Sequence, residues 1–177
     1  PYGAQYAAYT LVVIGAFSII YGAFAAMAQT DFKRLVAYSS ISHMGFVLLG
    51  LSVVVGVGGN VSTVGLTGAA LQMFTHGTIT GLLFLLAGLL YAKVHTRYIP
   101  DMGGLATRMP FLAAALLLAG LASLGLPGTS GFVSEILIFL GTFPVWSWLT
   151  AFGAFGIVLT AGHILWMIQR TLFGPQN

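Results

Sequence analysis

Of 177 residues, 58% are hydrophobic and 5% are charged, and the mean hydropathy is +0.99. A soluble domain carries about 25% charged residues, so water is not the main solvent of this chain. The absence of cysteine excludes a disulfide framework, thiolate metal sites and Cys-ligated iron–sulfur centres. A net charge of +3 from six dispersed Lys and Arg makes no nucleic-acid surface.

A helix needs about 20 apolar residues to cross a bilayer, and five passages can be drawn. The first runs over Tyr6–Ala28 and the second over Leu35–Val57. A Gly/Ser/Thr-rich link, Gly58–Thr67, leads into a third over Gly68–Ala92. The fourth covers Pro110–Phe143 and the fifth Trp146–Gln169. As one plain helix the fourth would be roughly 50 Å long against a hydrocarbon core of about 30 Å. It contains Gly125-Leu126-Pro127-Gly128-Thr129-Ser130-Gly131. Pro lacks an N–H donor and Gly loosens the backbone, so the span is expected to break between Gly125 and Gly131, with Gly125, Pro127, Gly128 and Gly131 forming the break. The fold class is all-α: a polytopic bundle of five spans, with residues 1–177 forming a single membrane domain.

Charge placement orients it. Lys33 and Arg34 separate passages one and two; Lys93, Arg97 and Arg108 separate three and four; Arg170 closes the fifth. With the fourth passage as one broken span, every positive residue falls on one side, which marks the cytoplasmic face or its organellar equivalent. Trp146, Trp148 and Trp166 read as interfacial anchors. Gly15, Gly22, Gly45, Gly77, Gly81, Gly120 and Gly162 read as positions where helices approach closely.

Three acids occur. Asp31 and Asp101 lie in the positive loops, and Asp31 suits the start of passage two. Glu135 follows the glycine-rich break by four residues, with apolar neighbours on both sides. A carboxylate at that depth is expensive and is a functional candidate by default. Backbone freed by a broken helix is tolerated only against protein or water, so break and acid point to one wet, protein-lined site. His43, His76 and His163 lie within passages two, three and five, and histidine suits proton relay. Each alone reads first as a helix–helix hydrogen-bonding residue; taken together with Glu135 the relay reading draws level, most of all for His76. Ser39, Ser42 and His43 share one helical stripe, and Gln72, Thr75 and Ser134 are available to bridge gaps through water. No two His stand at four-residue spacing as in a zinc site, and no nucleotide fingerprint follows a strand. No metal, cofactor or catalytic residue is assigned to this chain.

The run Gln29-Thr30-Asp31-Phe32-Lys33-Arg34-Leu35-Val36-Ala37-Tyr38-Ser39-Ser40-Ile41-Ser42-His43-Met44-Gly45-Phe46 resembles the signature of the antiporter-like proton-translocating family. So do His76-Gly77, His95-Thr96-Arg97 with Met102-Gly103-Gly104-Leu105, and Gly125 through Glu135. That family includes membrane subunits of NADH:quinone oxidoreductase (respiratory complex I) and of multi-subunit cation/proton antiporters. Within the family, Glu135 places the resemblance on one of the three large complex I membrane subunits, because its two paralogues have Lys at that position. The resemblance implies a fragment: the second of two inverted five-helix repeats, helices nine to thirteen of fourteen. It implies that Glu135 ends a half-channel to the outside, with His76 on the polar axis leading to it and His43 and Lys33 in the same polar segment; His163 joins them as a candidate. It further implies partners: other complex I membrane subunits, the lipid bilayer and the missing N-terminal half. FMN, iron–sulfur clusters and NADH would belong to partner subunits. The membrane would be that of a bacterial cell or an organelle. A Na+(K+)/H+ antiporter or membrane-bound hydrogenase subunit is the alternative.

Overall fold

The computed structural model describes residues 2–53 and 61–174. In chain order the elements are α1 (Tyr2–Met27), α2 (Phe32–Leu51), α3 (Thr63–Val94), a 3-10 turn (Ile99–Asp101), α4 (Leu105–Arg108), α5 (Pro110–Ser123) and α6 (Ser130–Leu172). No β-strand occurs among the described residues, only one bridge, Asp31 to Tyr98.

Two boundaries differ most from the expected ones. Helix α2 ends at Leu51 rather than Val57: the Ser52 amide bonds back to the Leu48 and Leu49 carbonyls and its hydroxyl takes the latter as well. Residues 54–60, with the start of the Gly58–Thr67 link, lie outside the described residues. Helix α3 begins five residues early, because Ser62 caps it by accepting from the Gly65 amide at 3.3 Å. Asp31 caps α2 through the Arg34 amide at 2.9 Å, as expected.

As a straight rod, the 43-residue α6 would extend about 65 Å. It does not stay straight. At Trp146, two residues past Pro144, the backbone leaves the helical region (φ −129, ψ 45). Thr150 Oγ1 donates to Thr142 Oγ1 at 3.1 Å, and a Cβ on Gly153 would lie 3.9 Å from the Phe139 ring. In a straight helix these pairs would stand about 12 and 21 Å apart. The two limbs, 130–145 and 147–172, therefore fold back against each other. With α5 and the first limb forming one interrupted passage, the chain crosses five times.

The break spans residues 124–129. It is a built turn rather than an unravelled helix. Gly125 and Gly128 take positive φ of 73 and 99, a region that favours glycine. The Leu126 carbonyl accepts from both the amide and the hydroxyl of Thr129, which in turn caps α6 through Phe132 N. Gly131 is not part of the break. It sits inside α6, where an added Cβ would come 2.9 Å from the Ala122 carbonyl.

The glycines divide similarly. Gly15, Gly22, Gly45 and Gly120 bring neighbouring elements within van der Waals distance, as do Gly50, Gly68 and Gly141. Gly77 and Gly81 meet nothing within 4 Å, against expectation, and Gly162 touches only Met27. Gly77 and Gly81 are exposed and carry no packing among the described residues.

The buried apolar residues form two clusters. Phe32, Leu35 and Val36 of α2, Leu83 and Leu90 of α3, Leu116 of α5 and Ile164, Met167 and Ile168 of the second limb pack at the positive end. Ala8, Val12, Ile19, Phe46, Leu49, Ile138 and Trp146 pack at the other. Trp146 is thus a core residue, edge-on to Tyr9 at 5.0 Å, and not an interfacial anchor, because the limb reversal turns it inward. Trp148, 89% exposed, keeps the anchor position. The loops after α1 and α3 meet through Phe32 N to Arg97 O (2.9 Å) and Ile99 N to Thr30 O (2.8 Å). Gly174 comes against Gly103, so the basic residues gather at one end of the bundle.

Candidate functional site

Between the two apolar clusters lies a polar layer, and the helices supply it in register. On α2 the apolar run Phe32, Leu35, Val36 gives way to Ser39, Ser42 and His43, then returns to apolar at Phe46. Helix α3 contributes Gln72, Thr75 and His76 before Leu83. Ser123 ends α5, Ser134 and Glu135 stand one turn into α6, and Thr160 and His163 come from the second limb.

Glu135 is 5% exposed. Its carboxylate faces the break: a Cβ on Gly125 would lie 2.7 Å from Oε2. His43, Gln72, Thr75, His76, Ser123 and Glu135 line one small cavity of about 10 Å³, about the space needed for the centre of one water molecule. His43 Nε2 is 3.2 Å from Ser123 Oγ, and its ring centroid is 5.2 Å from that of His76. His76 Nδ1 is 3.1 Å from Thr80 Oγ1. Ser134 Oγ lies within hydrogen-bond reach of both the Gln72 side-chain oxygen and the Gly131 carbonyl. His163 Nδ1 donates to the Leu159 carbonyl at 3.1 Å. That fixes the tautomer and leaves Nε2 as the reactive nitrogen. Four of the five buried, unpartnered side-chain polar atoms among the described residues belong to this layer: His43 Nδ1, Thr75 Oγ1, Thr160 Oγ1 and His163 Nε2.

Of the sequence candidates, Glu135, His76 and His43 thus share one cavity, whereas His163 is buried on the second limb and does not line it. Lys33 does not join them. It is exposed at the start of α2, ten residues and about 15 Å of helix from His43. Ser123 was not singled out by the sequence, yet among the described residues it alone hydrogen-bonds a histidine of the cluster across helices. Its signal was available: it is the sole hydroxyl in the α5 segment and stands two residues before Gly125.

A family model described as NADH:quinone oxidoreductase/Mrp antiporter, transmembrane, matches residues 3–160. The chain belongs to this family. NADH-quinone oxidoreductase subunit M of Pseudomonas aeruginosa is 48% identical over 164 residues, covering 93% of this chain and 31% of the relative. The subunit M of Rhodobacter capsulatus is 41% identical over 174 residues, 98% of this chain and 33% of its own. The F(420)H(2) dehydrogenase subunit M of Methanosarcina mazei is 42% identical over 167 residues, with 94% and 32% covered. The chain therefore spans about a third of the length of the curated relatives it matches. Among solved structures, respiratory complex I from Thermus thermophilus superposes with a TM-score of 0.92 at 37% identity, over 99% of this chain and 36% of that one. The Mrp complex of a Dietzia species superposes at 0.87 with 21% identity, over 96% and 31%; at that identity it shows the same fold alone. The interrupted helix and the five crossings are in this sense the fold of the NADH:quinone oxidoreductase/Mrp antiporter family, reached from the residues and from the comparison alike.

Proposed function

We propose that this chain is the outward-side proton half-channel of a membrane subunit of a quinone oxidoreductase complex, with Glu135 as its terminal proton carrier. The observation that carries the reading is the cavity shared by Glu135, His43 and His76 between two apolar clusters. Protons move along groups that can both take and give one, at separations a water molecule can bridge. Thr80, His76, His43 and Ser123 form such a series, and Glu135 stands beside its end at the break. Buried polar atoms without protein partners recruit water, and this layer holds most of them. His163 Nε2 extends the series toward the second limb.

Glu135 makes no ion pair among the described residues, so its charge responds to whatever cation approaches. Two unit charges 6–10 Å apart at an effective dielectric of 10–20 interact by roughly 2–5 kcal/mol. That is enough to drive a buried carboxyl between its two protonation states. In this reading a cationic group in the rest of the polypeptide repels the proton of Glu135 outward, and its withdrawal restores it. The redox groups, FMN, iron–sulfur clusters and the NADH site, belong to partner subunits. The named relatives favour a quinone oxidoreductase over a cation antiporter, since those above 40% identity are dehydrogenase or oxidoreductase subunits. Glu135→Gln in the complete complex tests the role: protons translocated per electron should fall, with quinone reduction slowed in parallel. An unchanged ratio in an assembled complex rejects it.

A further inference from the structure

Lys33, set apart from the polar layer, has a different neighbour. It lines a second cavity, of about 110 Å³, with Arg97, Tyr91, Phe84, Gly88 and Met102. The two cations come from different segments, the first turn of α2 and the loop after α3, that are tied together: Phe32, next to Lys33, donates its amide to the carbonyl of Arg97 itself. The Arg97 guanidinium lies over the Tyr91 ring, 4.5 Å from its centroid. This stacking orients the plane and leaves its N–H edges free to donate. Neither cation makes an ion pair among the described residues, and the nearby Asp31 carboxylate is engaged by the Arg34 amide. The rest of the wall is apolar. From Tyr91 to Phe84 it descends α3 by about 10 Å, from the charged end into the span. At Gly88 nothing lies within 4 Å of where a Cβ would stand, so the helix surface is open there.

We infer that this cavity is a binding site for one anionic phospholipid. Its phosphate sits between Lys33 and Arg97, and an acyl chain lies along Phe84 and over Gly88. A soluble anion would use the cations but not the apolar descent, and a neutral lipid would use the descent but not the cations. Basic pockets between spanning helices on the cytoplasmic side have the matching chemistry for acidic head groups.

The test uses the complete complex with the full-length chain, purified in mild detergent and titrated with phosphatidylglycerol, phosphatidylcholine or inorganic phosphate. Retained lipid is read by native mass spectrometry. Phosphatidylglycerol should be retained selectively and resist displacement by phosphate. At about fivefold per cation, the K33Q/R97Q double variant should weaken retention on the order of thirtyfold. Gly88→Leu, which fills the slot without touching a charge, should also release the lipid, whereas Lys93→Gln, at a separate cavity, should not. Wild-type retention in K33Q/R97Q or in Gly88→Leu overturns the assignment, as does equal release by Lys93→Gln or full displacement by phosphate. Should the variants fail to assemble, a high-resolution map of the unmodified complex decides: head-group density contacting both cations supports the site. An empty slot, or an acidic protein side chain between Lys33 and Arg97, overturns it.

Discussion

The two positive-φ glycines of the break offer a matched pair of substitutions. Gly125 and Gly128 have φ of 73 and 99, so alanine at either forces an L side chain into a left-handed backbone, at on the order of 1–3 kcal/mol. The surroundings differ. At Gly128 an added Cβ meets nothing within 4 Å, whereas at Gly125 it would lie 2.7 Å from Glu135 Oε2 and 3.3 Å from the carboxyl carbon. Ordinary contacts begin near 3.4 Å, so the carboxylate must move by several tenths of an ångström. It is the end of a flexible side chain and can do so. Gly125→Ala should therefore carry a backbone penalty like that of Gly128→Ala and, in addition, displace the proton carrier. In the complete complex both variants should lose thermal stability to a similar degree. Only Gly125→Ala should shift the Glu135 carboxyl band in infrared difference spectra and lower the proton-to-electron ratio. Equal band positions and equal coupling in the two variants would refute the placement of Glu135 against the break.

Three further outcomes follow from the same geometry. Ser123→Ala removes the 3.2 Å contact to His43 Nε2 and leaves both ring nitrogens of a buried histidine without protein partners, at about 1–3 kcal/mol. Coupled quinone reduction should slow while the complex still assembles, and the 15N resonances of His43 should report an altered tautomer balance. Gly68→Ala puts a Cβ 2.7 Å from the Ile138 amide nitrogen, backbone against backbone. The α3–α6 crossing has to separate, with overpacking of typically 1–3 kcal/mol, and the yield of assembled complex on native gels should fall. Trp146→Ala removes a buried indole from the outer cluster, at about 3–5 kcal/mol, whereas Trp148→Ala alters a side chain that is 89% exposed; the first should lower the thermal stability of the complex well below that of the second.

Much of this was legible in the residues, for reasons that also explain what was not. The spans follow from hydropathy, and the break from Pro127 between two glycines, because the bilayer penalises charge and unpaired backbone in any tertiary setting. Glu135 stood out because it is the one acid outside the positive loops. Trp146, Gly77 and Gly81 were misread for a common cause. Their residue types fit the assigned roles, but which way a helix faces is decided by its neighbours. The face of α3 bearing Gly77 and Gly81 points away from the buried stripe of Gln72, Thr75 and Leu83, and nothing in the local sequence says so. Lys33 was joined to His43 by proximity within one motif, whereas 1.5 Å of rise per residue carries the two to different depths.

The position of the break follows from how its two half-helices are held. Helix α5 is fixed by Ala113, Leu116 and Ala119 in the cluster at the positive end. The first limb of α6 is fixed by Ile138 in the other cluster, where Gly68 lets α3 approach its backbone. Each half belongs to a different core, so neither can slide without emptying a packed site, and the six residues between them are pinned at the level of the polar layer. Glu135, over one turn past the break on a limb anchored outward, and Ser123, the last helical residue before it on a limb anchored inward, are thereby brought to the same cavity from opposite sides. A straight helix would hold them about 18 Å apart along its axis. The interruption is what places the acid within reach of the serine–histidine series.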